Sequence, residues 1–169
     1  MPDPLTPEQR HHCMASIHGK DTKPEIVVRK YLWNNGFRYR LNHPRLPGKP
    51  DVVLRKYRTC IFINGCFWHG HEGCKSFVMP RSNIDFWKAK IDRNRRRDIE
   101  VQLKLADMGW HRITIWECQL KKDRREETLK GLVYTLDCIF LNDHKPKNYS
   151  DLNESLPMAA EEQASYGDN

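Results

Sequence analysis

The chain has 169 residues, with 29 Lys or Arg against 22 Asp or Glu, a formal net charge of +7 and six cysteines. That length suits one domain with a real core, and no run of eighteen apolar residues is present to span a membrane. The N-terminus carries Pro and Asp instead of a secretory pattern, so a cytoplasmic chain is expected, in which cysteines bind metal or pack in the core.

Charge is unevenly spread. From Ser150 onward there are five acidic residues and no Lys or Arg, so residues 1–149 carry +12. A basic body of that size points to a polyanionic partner, most often nucleic acid; the plainer alternative is charge on solvated helix faces. The chain divides into an arm over residues 1–20, a body over residues 21–147 and an aperiodic acidic tail over residues 148–169, which is expected to be disordered.

In chain order, Thr6-Pro7-Glu8-Gln9 has the form of a capping box with Pro at the first helical position. The segment after it is short, with Met14 and Ile17 as an apolar pair, and a helix that brief needs a body or a partner to dock on. Thr22 and Glu25 repeat the capping logic for a helix through Ile26, Val27, Lys30, Tyr31 and Trp33, which Asn35-Gly36 ends. Glu25 thus has a structural reason to be there.

Pro44, Pro47, Gly48 and Pro50 make a rigid approach to a short strand, Asp51–Leu54. A basic turn over Arg55–Arg58 leads to a return strand, Cys60–Ile63, so Asp51 and Asn64 should lie at the same end of a hairpin. A helix is predicted over residues 82–108, capped by Ser82 or Asn83 and stopped by Gly109. Its first half is basic, with Lys88, Lys90, Arg93, Arg95, Arg96 and Arg97; its second half offers Ile99, Leu103 and Ala106 to the core. Trp110–Glu117 reads as a strand with Cys118 directly after it, and Asp123–Asn142 as a last helix with Leu129, Leu132, Val133, Leu136, Ile139 and Phe140 on its apolar face.

The chemistry concentrates in the loop after the second strand. Cys66-x4-His71-x2-Cys74 has the ligand types and short spacing of a tetrahedral zinc site. The fourth ligand could be Cys118, His69 or Cys60; Cys118 is favoured because it follows a strand, whereas Cys60 sits mid-strand and packs like a small hydrophobe. Cys13 and Cys138 look structural or incidental. A metal-pinned loop would hold His69 ready for proton transfer near neutrality, the alternative being a structural His or spare ligand. Asp51 suits magnesium, which takes one or two carboxylates and phosphate oxygens, though it could equally cap a turn. Phe67, Trp68 and Trp87 could be core aromatics. Two bulky rings in a Gly-flanked loop favour a wedge between bases, where unstacking is cheapest at a mismatch.

Together these residues resemble the very short patch repair endonucleases. The likeness rests on Leu46-Pro47-Gly48-Lys49-Pro50-Asp51, then Gly65-Cys66-Phe67-Trp68-His69 with His71 and Cys74. It continues through Phe86-Trp87, Arg97-Asp98, Gly109-Trp110 and Trp116-Glu117-Cys118. The resemblance implies a restriction-endonuclease-like α/β fold of the PD-(D/E)xK type, a mixed central sheet flanked by helices with one structural zinc. Phe62 and Asn64 stand where the usual acid and lysine of that fold would fall, and His69 matches the histidine that serves instead.

The resemblance further implies Asp51 as magnesium ligand, helped by the main-chain carbonyl of Ile63, and Cys66, His71, Cys74 and Cys118 as zinc ligands. Glu25 matches an acid near the site. Met14, Ile17, Phe67, Trp68 and Trp87 match groups that insert beside a T:G mismatch, with Lys88, Arg93, Arg95 and Arg97 on the basic DNA-facing helix. The implied activity is a magnesium-dependent nick 5′ of the mismatched thymine, made by a cytoplasmic, nucleoid-associated monomer linked in function to a cytosine-5 methyltransferase. A well-known member carries histidine at the position of Asn64 and threonine at that of Ile63, and its Cys66–Cys74 loop is one residue shorter, Gly73 absorbing the difference here.

Overall fold

The computed structural model describes Thr6, Glu8, Gln9, His12 and residues 20–145. Met14, Ile17, Cys13 and the acidic tail lie outside those residues. The first capping box forms: Thr6 N–H donates to Gln9 Oε1 at 3.0 Å and Gln9 N–H to Thr6 Oγ1 at 3.2 Å.

Helix α1 (Lys23–Asn34) starts as its sequence dictates, with Thr22 at the N-cap and Pro24 in the first turn. Asn35 is the C-cap, and Gly36 follows at φ +83°. Strands β1 (Arg40–Leu41), β2 (Val52–Leu54), β3 (Thr59–Asn64) and β4 (His111–Trp116) form one sheet in that order. The two-residue β1, just ahead of the proline-rich approach, is too short for its alternation to register in the sequence. β1–β2 and β2–β3 are antiparallel; β3–β4 is parallel. A parallel pair needs a long crossover, supplied by α2 (Ile84–Asp107). Helix α3 (Arg125–Asp143) closes the described chain.

Alternation along the strands sorts the core into two layers. Val52, Leu54, Ile61 and Ile115 face α1 and α3, against Val28, Leu32, Leu129, Leu132 and Leu136. Val53, Cys60 and Phe62 face the other way, against Val101 and Leu105 of α2. The mixed α/β expectation of a central sheet with helices on both faces therefore holds.

Two details differ. Ile99 and Leu103 are 59% and 60% exposed, and Ala106 is exposed too; the buried residues of α2 are Ile91, Val101 and Leu105. Positions 103 and 105 are about 200° apart around a helix, so α2 carries two nearly opposite apolar stripes. The sheet takes the stripe with Val101, which packs beside Phe62. Asn83 precedes the helix at φ +53° and makes no side-chain capping bond. No helix among the described residues is long and apolar enough to cross a membrane.

Candidate active site

Strand pairing alone brings the first two groups together. Asp51 heads β2 and pairs towards the end of β3, where its Oδ2 accepts the Ile63 N–H at 2.7 Å. Asn64 closes β3 and is buried. Both line a cleft of about 810 Å³ shared with Glu25, Ile63, Trp68, His69, Arg97, Asp98 and Glu117. Burial, more than any neighbour, raises the Asp51 carboxyl above its ordinary range; the Ile63 N–H pulls it back, Glu25 pushes it up, and Arg29 and His69 lower it.

Glu25 is buried at the cleft wall, and its carboxylate is fully engaged. Oε1 accepts from the Thr22 hydroxyl at 2.9 Å, and Oε2 from Arg29 Nη2 at 2.6 Å and the Asp21 N–H at 3.1 Å. Thr22 caps the helix by accepting the Glu25 N–H at 3.5 Å, but the Glu25 carboxylate reaches back to the Asp21 N–H instead of that of Thr22, which fixes an acid beside Asp51.

The loop after β3 folds into consecutive tight turns, His71 N–H to Cys66 O at 2.9 Å and Phe77 N–H to Cys74 O at 2.9 Å among them. These turns gather Cys66, His71 and Cys74, and Cys118, just past β4, joins them; their ligand atoms all lie within 4.8 Å of one another. His71 Nδ1 is 3.4 Å from Cys66 Sγ and 3.5 Å from Cys118 Sγ. Metal–sulfur bonds of about 2.3 Å and metal–nitrogen bonds of about 2.0–2.1 Å in a tetrahedron require ligand atoms about 3.5–3.8 Å apart, so this quartet could hold a zinc-sized ion. Burial pushes the Cys66 thiol up to about 12 and also raises Cys118, while the Ser76 N–H lowers Cys74. Gathered thiols of this kind ionise together readily only beside a cation. The His71 ring stacks on Trp116 at 4.0 Å, and Glu117 Oε1 accepts the Cys66 N–H at 3.0 Å. Cys60 is wholly buried away from the quartet, and His69 is not in it.

Helix α2 grips the same loop rung by rung. Asn94 Nδ2 donates to Trp68 O at 2.7 Å, His69 Nδ1 meets Asp98 Oδ2 at 2.6 Å, and Arg95 bonds the Gly70 carbonyl and Glu72 Oε1, the latter at 3.0 Å. Arg95, expected on the DNA face, is thus tied to the loop. Lys88, Arg93 and Arg96 are exposed, and Arg97 lines the cleft.

Phe67, Trp68 and Trp87 are half-buried and form one aromatic group, with ring centroids 5.1 Å apart for Phe67–Trp68, 5.2 Å for Phe67–Trp87 and 6.1 Å for Trp68–Trp87. Lys90 Nζ lies 5.0 Å from the Trp68 ring centroid and 5.4 Å from that of Trp87, within cation–π range. Lys90, Asn94 and Asp98 were given no site role from sequence. Their i, i+4, i+8 spacing, with one acid set among arginines, was the available signal.

Residues 2–75 match the family described as DNA mismatch endonuclease Vsr. The chain is 50% identical over 121 residues to the type II nicking enzyme V.NmeAIP of Neisseria meningitidis serogroup A, covering 72% of this chain and 86% of the relative. It is 43% identical to the type II nicking enzyme V.XorIIP of Xanthomonas oryzae, covering 71% and 88%. It is 38% identical to the DNA mismatch endonuclease Vsr of Escherichia coli, covering 66% and 71%.

Proposed function

This chain belongs to the Vsr family of DNA mismatch endonucleases, and from that premise we propose that it nicks one strand of duplex DNA on the 5′ side of the thymine in a T:G mismatch. Such mispairs arise when 5-methylcytosine deaminates, so the nick would start very short patch repair at the sites of a cytosine-5 methyltransferase. The enzyme would act as a monomer in the cytoplasm.

One observation carries the reading: His69, in the cleft with Asp51, is bonded through Nδ1 to Asp98. A carboxylate on Nδ1 fixes the tautomer with its proton there and leaves Nε2 as the acceptor. His69 then takes the proton of the attacking water, and Asp98 steadies the imidazolium that forms. Asp51, with the Ile63 carbonyl, would hold Mg²⁺: a part-buried carboxylate with one oxygen tied to a backbone N–H suits a hard cation. When bound, that ion neutralises the scissile phosphate and the leaving oxygen. Asn64 can hydrogen-bond a phosphate or water but cannot transfer a proton. Glu25, its oxygens occupied, shapes the field around Asp51.

Zn²⁺ on Cys66, His71, Cys74 and Cys118 would keep the loop rigid. Phe67, Trp68 and Trp87 would enter the stack from one groove and Met14 and Ile17 of the arm from the other, while Lys88, Arg93 and Arg97 neutralise phosphates. Pro50-Asp51 at the head of β2, beside β3, supports a restriction-type nuclease ancestry.

The test is a labelled duplex, T:G-mismatched or matched, with and without Mg²⁺. A single nick 5′ of the mismatched thymine, dependent on Mg²⁺, is expected. His69→Ala should reduce it by at least about 10²-fold while metal content and mismatch binding survive. Binding without cleavage would mark a lapsed enzyme, and equal cleavage of the matched duplex another substrate.

A further inference from the structure

We propose that Arg112 is a positioning residue for this reaction: from β4 it holds the Asp98–Gln102 turn of α2 at the depth where Asp98 meets His69. The inference rests on the nicking activity proposed above and adds to it a residue that touches none of the reacting atoms.

Arg112 Nη1 donates to the Asp98 carbonyl and to Gln102 Oε1, each at 3.1 Å. Its guanidinium carbon lies 5.0 Å from the ring centroid of Phe62, a residue of the cleft wall. One side chain thus ties three things together: the sheet, through β4; the cleft wall, through Phe62; and the helical turn that presents the partner of His69.

The arrangement is costly. Arg112 Nε is buried without a hydrogen-bond partner among the described residues, and burial pulls the guanidinium below its ordinary pKa, opposed by Asp98. An apolar side chain of similar length, such as Met, would pack on Phe62 without that penalty. What it could not do is bond the Asp98 carbonyl, which is otherwise an ordinary carbonyl in the middle of a long helix. Val101, in the same turn, and Leu105, in the next, add apolar packing against the sheet but offer no hydrogen bond to the Asp98 carbonyl. The Asp98 carboxylate faces His69 in a cleft with Glu25, Lys49, Asp51, Arg97 and Glu117, and among the described residues only the His69–Asp98 contact is a direct bond to the ring.

Arg112→Met and Arg112→Lys separate this from a merely structural role. Arg112→Met should be at least as heat-stable as the parent, yet lower kcat for the mismatched duplex by about 10–100-fold with KM unchanged, the scale of loss from misplacing a catalytic group by about 1 Å. Arg112→Lys, which keeps the charge and can still donate but lacks the planar guanidinium that lies over Phe62, should fall between. A second readout is independent of turnover: the strongly hydrogen-bonded Nδ1 proton of His69, seen far downfield by proton NMR, should be lost or broadened in Arg112→Met. Normal kcat with that proton retained would overturn the inference, and so would a change in KM alone, which would make Arg112 a DNA contact. If the parent protein fails to nick, the proposed activity fails while the NMR result still decides the role of Arg112. Should Arg112→Met prove unstable, Arg112→Lys decides by the same two readouts.

Discussion

Asp51 is a carboxylate in partial burial, with one oxygen on a neighbouring strand and a second acid nearby. Its folded pKa is raised, so the ionised form opposes folding; that penalty is fully present above the folded pKa and is relieved as pH falls through it. Asp51→Asn should therefore stabilise the metal-free protein at neutral pH while abolishing cleavage. A gain of about 1 kcal/mol would read as about 2–4 °C in melting temperature for a chain of this size. The difference should shrink at acid pH, and added Mg²⁺ should raise the melting temperature of the parent only. A lower melting temperature for the variant at neutral pH would show that Asp51 is a structural cap. At this scale the sequence was partly legible. Cys66, His71, Cys74 and Cys118 stand together as their residue types and spacing suggest, whereas Asp51 and His69, which share a cleft, could by residue type alone equally be a turn cap and a structural His. Asp98, Asn94 and Arg112 could not be found in the sequence, since each acquires its role only by meeting a segment far along the chain.

The loop and α2 act as a laced pair, and Gly70 is the tightest point of the lacing. It sits at φ +60°, and a Cβ there would lie 2.6 Å from both Arg95 Nε and Ile91 Cγ2. Gly70→Ala combines a left-handed backbone with two clashes, so a loss of about 1–3 kcal/mol is expected, together with less bound zinc per chain. Thermal unfolding and metal content measured on one sample check this; unchanged values would mean that the loop is held by its metal ligands alone. The described helices and the strands longer than two residues were legible, because caps, turns and alternation are local. The buried face of α2 was not: its two apolar stripes are equally good by period, and only the position of Phe62 and Val53 across the interface selects Val101 and Leu105.

For the molecule as a whole, +12 over residues 1–149 would make binding to any duplex strongly salt-dependent, and on the proposed function the aromatic group would supply preference for a weak point in the stack. Trp68→Ala should therefore cost mismatch preference more than general affinity, by about 1–3 kcal/mol on the mismatched duplex, read from binding curves on paired substrates. Equal losses on matched and mismatched DNA would remove the wedge from the account.

The adjacency of Trp68 and His69, each strapped to α2 one helical turn apart through Asn94 and Asp98, has a mechanical consequence. Because Asn94 holds the main-chain carbonyl of Trp68 and Asp98 holds the ring of His69, a shift of this stretch of α2 would move both anchor points together, and on the proposed reading a wedge that fails to seat would also unsettle the proton acceptor.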